Sequence, residues 1–191
     1  DFDGMLAGAP ANPRSKLTTQ EMVIGVAALK DPAGFIPRSK YSLIHEAVLE
    51  KCDTLDGLKD ALIQNPMKCK FEPEVLLCKD AEGPSCLTAP QVATLHAVFD
   101  PAIHPITKDL IYPGQSRGAE TGLQVMAGGP QPFGPSLDQF RYVVHKDPQW
   151  GWRTFDLATD ATANDNLSEG LLNAGDPNLK PFFDRGGKLL M

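Results

Sequence analysis

Apolar residues recur at helical spacing along several stretches of this chain, and glycine, proline and asparagine punctuate the intervals between them. Thr18 or Thr19 is placed to cap a helix through Glu21 to Leu29, which Pro32 and Gly34 end. Ser39 or Ser42 precedes Leu43, Ile44, Ala47, Val48 and Leu49, a stripe that carries a second helix as far as Cys52. Thr88-Ala89-Pro90-Gln91 opens a third, with threonine at the cap, proline in the first turn and Val92, Leu95, Val98 and Phe99 as its buried face. Leu137, Phe140, Val143 and Val144 form a further stripe that ends near Asp147-Pro148. Asn166 to Asn173 is a short helix candidate, and Asp176-Pro177-Asn178-Leu179 caps a helix through Phe182 and Phe183 to Arg185. Strand character is confined mainly to the two ends. Phe2 to Pro10 reads as a short buried strand running into a turn, and Gly186-Gly187 stops the last helix before the apolar run Lys188-Leu189-Leu190-Met191. The opening Asp1-Phe2-Asp3 does not read as a leader peptide, and Met191 falls while a strand is still running, so the chain is expected to be a segment of something longer.

Composition narrows the partners. With 191 residues and 42% apolar content, the chain is long enough for one sizeable core. A formal charge of -6 without a basic cluster argues against nucleic acid or an anionic membrane as partner. No run approaches the roughly 18 to 20 apolar residues of a membrane span. Cys52, Cys69, Cys78 and Cys86 crowd into one region with no CxxC pair or nearby histidine pair, which fits a disulfide framework and not zinc. Three pairings are open to them on spacing alone. An oxidising location follows, secreted or periplasmic.

The densest chemistry lies in Cys52-Asp53-Thr54-Leu55-Asp56-Gly57-Leu58-Lys59-Asp60-Ala61-Leu62-Ile63. If this stretch is helical, Asp53, Asp56 and Asp60 share one polar face opposite Leu55, Leu58 and Leu62. The competing reading is a calcium loop, because that cation takes oxygens from carboxylates and backbone carbonyls in irregular loops. Three close aspartates repel unless a cation offsets them, Lys59 is a weak candidate for that role, and Gly57 relieves the backbone at the turn. The spacing is not that of an EF-hand.

Together with MKCKFEPEVLLCKDAEGPSCLTAPQV and DPNLKPFFDRGGKLLM, this block resembles the tannase and feruloyl esterase family of α/β-hydrolases, along nearly the whole chain. The resemblance implies an α/β fold in which a mostly helix-and-loop lid is inserted between two parallel core strands. The implied division is 1–14 for a core strand and its exit loop, 15–175 for the lid, and 176–191 for the returning helix and strand. It implies a Ca²⁺ site with side chains of Asp53, Asp56 and Asp60 and main-chain carbonyls of Leu58 and Leu62, although Ala61 stands where the family often has a second glycine. Neighbour pairing, Cys52 with Cys69 and Cys78 with Cys86, is likewise what the family pattern implies. The nucleophilic serine is expected before the residues matching Asp1, and the acid and histidine after Met191.

Gly114-Gln115-Ser116-Arg117-Gly118 also matches G-x-S-x-G, the nucleophile elbow. That elbow needs a buried strand before the serine and a helix after it. Here Pro113 stands directly ahead and Gly122, Gly128 and Gly129 weaken any following helix, so Ser116 is not expected to be a nucleophile. Trp150-Gly151-Trp152-Arg153-Thr154-Phe155 is the densest aromatic patch. Core packing is expected for at least two of its rings; the functional alternative makes Trp150, Trp152 and Phe155 a wall for an aromatic acyl group with Arg153 as a polar handle. His45, His96 and His104 are expected to be structural or solvent-facing, and Asp176 and Asp184 to be cap and surface residues.

The expected function is therefore the lid portion of a secreted serine carboxylic ester hydrolase acting on hydroxycinnamoyl or galloyl esters, inactive by itself because its catalytic residues lie elsewhere. Its expected partners are an aromatic ester substrate and the remainder of the hydrolase domain. The alternative is a calcium-stabilised, disulfide-tied binding module with no catalysis, which predicts covered terminal strands where the lid reading predicts exposed ones.

Overall fold

A computed structural model of the chain describes residues 2–167 and 172–191. Strand β1 (Gly4–Leu6) pairs in parallel with β4 (Lys188–Leu190), Gly4 opposite Lys188 and Leu6 opposite Leu190. Nearly all of the chain lies between these two neighbours. It folds as α1 (Arg14–Leu29), α2 (Tyr41–Cys52), α3 (Ala89–Phe99), the antiparallel pair β2 (Ala102–Ile103) and β3 (Leu110–Tyr112), then α4 (Gln124–Ala127), α5 (Gly134–Asp138), α6 (Leu157–Asp165) and α7 (Lys180–Asp184). Among the described residues no helix is long and apolar enough to cross a membrane.

Helix α1 runs through the middle and separates two apolar cores. On one side Ile24 and Ala28 meet Ile44 and Val48 of α2, Phe71, Leu87, and the predicted face of α3, Val92, Leu95, Val98 and Phe99. On the other, Met22 packs with Leu137, Phe140, Trp152 and Phe155. Buried on both sides, α1 has a weaker amphipathic signature than a surface helix, so the apolar pattern does not mark its start. It begins at Arg14 after Pro13, four or five residues before the expected caps Thr18 and Thr19. Those threonines sit inside it, both buried, and donate back to the carbonyls of Arg14 and Ser15.

Helix α3 begins as the pattern requires. Thr88 Oγ1 accepts from Gln91 N while Gln91 Oε1 accepts from Thr88 N, a reciprocal capping box, with Pro90 in the first turn. The stripe of Leu137 to Val144 divides into α5 and a π-helical turn, Gln139–Val144. The wider winding keeps Leu137 and Phe140 buried but leaves Val143 exposed. Helix α6 was not anticipated: Asp156 caps it through Thr159 N, but its residues carry little apolar periodicity. Part of the helix candidate at 166–173 lies outside the described residues.

Candidate functional site

Helix α2 ends at Cys52, and the acidic block continues as a 3₁₀ turn, Asp53–Asp56, closed by Gly57 in the left-handed region at φ 95°. The single helical face offered by the simpler reading therefore does not form. Leu55, Leu58 and Leu62, its supposed apolar side, are all exposed. Each aspartate instead receives a backbone N–H within the loop: Asp56 Oδ1 from Leu58 at 2.9 Å, Asp60 Oδ1 from Leu62 at 3.1 Å, and Asp53 Oδ1 from Asp60 at 3.3 Å. The last of these curls the loop back over buried Asp53. Disulfide Cys52–Cys69 ties the start of the loop to the chain beyond it, and Cys78–Cys86 closes the next loop. In kind the donors fit a hard cation, being oxygens only. Among the described residues, however, no three acidic, histidine or cysteine side chains converge closely enough to hold an ion in the present arrangement.

The G-x-S-x-G stretch has a structural explanation. A β-carbon on Gly114 would stand 1.9 Å from the carbonyl oxygen of Phe99, so glycine is the residue that lets this loop lie against α3. Arg117 covers the ring of Phe99 at 4.9 Å and donates to the carbonyls of Phe99 and Phe71. Gly118 has φ 103° and gives its N–H to Glu120 Oε1 at 2.6 Å. Ser116 is exposed at the tip, after a three-residue strand and ahead of a 3₁₀ turn, which is not the geometry of an elbow.

Glu120 is completely buried, and its other oxygen meets His45 Nδ1 at 2.7 Å. This joins α2 to the loop across 75 positions, a separation that no local motif signals. The remaining histidines are also occupied. His96 bridges Glu74 and Asp100 at 2.7 and 2.8 Å; the Glu74 carboxylate, with Asp100, raises the imidazole above its usual range, and His96 in turn lowers Glu74. His145 meets Asp160 at 3.0 Å and stacks on Trp150. His104 Nδ1 accepts from the N–H groups of Ile106 and Thr107, so its Nε2 carries the proton and donates toward Ala158 O and Thr162 Oγ1. It cannot take a proton from that hydroxyl. Among the described residues no histidine is placed as a base for a serine or threonine.

In the aromatic patch, Trp152 and Phe155 are buried; Phe155 meets Phe140 edge-on at 5.2 Å. That placement sets them in the second core and not on a wall open to substrate. Trp150, half-buried between Phe140 and His145, and exposed Arg153, which covers Trp152 at 4.2 Å, are the members that reach the surface.

A family model described as tannase and feruloyl esterase matches residues 1–132. A probable feruloyl esterase B-2 of Aspergillus terreus is 33% identical over 195 residues, a match that covers 100% of this chain and 36% of the relative. A probable feruloyl esterase B of Emericella nidulans is 34% identical over 192 residues, again covering 100% of this chain and 36% of the relative. The chain thus spans about 36% of the length of these relatives. The crystal structure of feruloyl esterase B from Aspergillus oryzae superposes with a TM-score of 0.85 at 28% identity, covering 98% of this chain and 38% of that one. A tannin acyl hydrolase from Aspergillus niger, at 19% identity and a TM-score of 0.63, shares the fold.

Proposed function

Because the chain belongs to the tannase and feruloyl esterase family, we propose that it is the lid, with its two flanking core strands, of a serine carboxylic ester hydrolase that acts on aromatic esters of the hydroxycinnamoyl or galloyl type. The observation that carries this reading is the parallel pairing of β1 and β4, with the body of the chain inserted between them. A two-stranded parallel sheet is not a stable unit alone, because parallel sheets occur with neighbours and both faces covered. Leu6 and Leu190 at its end are 79% and 64% exposed, an apolar surface that suits continuation into a larger sheet better than a free-standing binding module.

The reaction would be acyl transfer to water through a serine, with a histidine as base and an acid orienting it, all three outside residues 1–191. This chain's part is to cover the reacting centre, exclude water and position the ester. The two disulfides support a secreted or periplasmic location. The acidic loop would have to draw its carboxylates closer to hold Ca²⁺ through Asp53, Asp56 and Asp60 and the carbonyls of Leu58 and Leu62, each aspartate contributing an oxygen not engaged within the loop. The ion would supply charge compensation and a structural cross-link, with no part in the chemistry.

The test is hydrolysis of methyl ferulate and methyl gallate by the full-length protein and by residues 1–191 alone. The expected result is turnover by the former and none by the latter, since losing a triad costs about 10⁶-fold in kcat. No turnover of any aromatic ester by the full-length protein would overturn the reading.

A further inference from the structure

His96 lies near the end of α3 with a carboxylate at each of its ring nitrogens. Asp100 Oδ2, one turn further along the chain, stands 2.8 Å from Nδ1, and Glu74 Oε1, from the 3₁₀ turn Pro73–Leu76, stands 2.7 Å from Nε2. A carboxylate oxygen only accepts, whereas a neutral imidazole has one N–H and one lone pair. The neutral ring therefore satisfies one carboxylate and sets its lone pair against the other. Only the imidazolium, which donates from both nitrogens, fits both contacts at once.

The bridge fastens a turn to a helix. Pro73–Leu76 lies between the two disulfides, after Cys69 and before Cys78. Leu76 is buried in the first core and its carbonyl accepts from Leu87 N at 2.7 Å, but Val75 and Leu77 on either side are exposed. Glu74 is the side chain that ties this turn to α3 by charge. Among the described residues the three groups make no further ion pair. The other elements against α3 present neutral groups or charges directed elsewhere. Gln20 of α1 gives its amide to Ala97 O, and Gly34 offers its carbonyl to Thr94. Arg117 lies on the ring of Phe99, and Lys40 with Glu82 meets Gln91 at the far end of the helix. The charge of His96 is thus governed by Glu74 and Asp100.

We propose that Glu74, His96 and Asp100 form a pH-sensitive clasp, which holds the turn Pro73–Leu76 against α3 in mild acid and releases it as pH rises. Glu74, and after it Asp100, hold His96 above its usual range against the opposing effect of burial. Its share of stability is therefore present below the ordinary histidine value of about 6.5 and is lost as pH rises through the raised folded value. Glu74 is held below the usual carboxylate range by its bond to His96, so its share is present above that range and is lost as pH falls through the lowered folded value. The clasp is firmest between those limits. Both carboxylates are exposed, which keeps the effect modest and open to screening by salt.

The experiment is hydrogen–deuterium exchange of the full-length protein, read by mass spectrometry at about pH 5.5 and about pH 8.5, in wild type, His96→Gln and Glu74→Gln. Exchange at the imidazole C2 position, followed across that range, gives the titration midpoint of His96, and amide protection factors over residues 71–77 report on the turn. In wild type the midpoint lies above the ordinary histidine value, and in Glu74→Gln it falls. Protection over 71–77 drops about two- to fivefold from the lower pH to the higher in wild type and stays level in His96→Gln. A midpoint at or below the ordinary value, protection that does not move with pH, or a pH response that His96→Gln retains overturns the clasp.

Discussion

Glu120 is fully buried, and a carboxylate without water is tolerable only while its donors stay in place. His45 and the Gly118 N–H supply them, so Glu120→Ala leaves both donors unanswered and is expected to cost about 3 kcal/mol in a urea melt. Its neighbour Ser116 faces solvent, and Ser116→Ala is expected to change stability by less than about 0.5 kcal/mol. Between them, Gly114→Ala forces a β-carbon into the Phe99 carbonyl and is expected to cost more than about 2 kcal/mol. Together the three variants separate a structural glycine loop from a nucleophile elbow. Glu21 adds a pH effect. Burial raises its carboxyl above the usual range, with Arg14 opposing, so the folded chain binds that proton more tightly than the unfolded one. Its stabilising contribution is present at low pH and is lost as pH rises from the ordinary carboxylate range through the raised folded value. Glu21→Gln removes the loss, and melts from about pH 4 to about pH 8 should show the variant gaining on wild type with pH.

Among the elements, those with strong local signals were legible from the sequence, and those defined by distant contacts were not. Thr88, Pro90 and Gln91 announced α3 because a capping box is complete within four residues. Helix α1 was placed late because its buried threonines resemble caps, whereas their hydroxyls answer carbonyls one turn back and Asn164 across the core. Helix α6 gave no stripe because it buries mostly small or polar groups, Asp160, Ala161 and Asn164. In the acidic loop, the aspartates were visible, but their arrangement as a 3₁₀ turn with N–H contacts depends on Gly57 and on the tie from Cys52 to Cys69. Replacing both of those cysteines with alanine should cost about 3 kcal/mol for the closed 17-residue separation. If Ca²⁺ binds as proposed, excess chelator should lower the melting temperature of wild type and leave Asp56→Ala unmoved, with one calcium per chain by elemental analysis in wild type alone. An equal response of both proteins to chelator would remove the loop as the site.

At the scale of the whole molecule, the two cores account for the body of the chain, and the β1–β4 pair is what they leave unexplained. Met5, Leu6, Leu190 and Met191 are exposed on or beside strands that have no further partner among the described residues. Such a surface makes sense beside more sheet, as the proposed lid reading requires. The aromatic patch was legible as core because two of its rings join Met22 and Phe140, but no local signal joined His96 to Glu74, whose turn is separated from α3 in the chain by the second disulfide loop. The most direct test of this account is to react the full-length protein with a fluorophosphonate, which labels an activated serine, and to map the labelled peptide by mass spectrometry. The account predicts one label on a serine outside residues 1–191, with hydrolysis lost in step. A label on Ser116, abolished by Ser116→Ala, would contradict it.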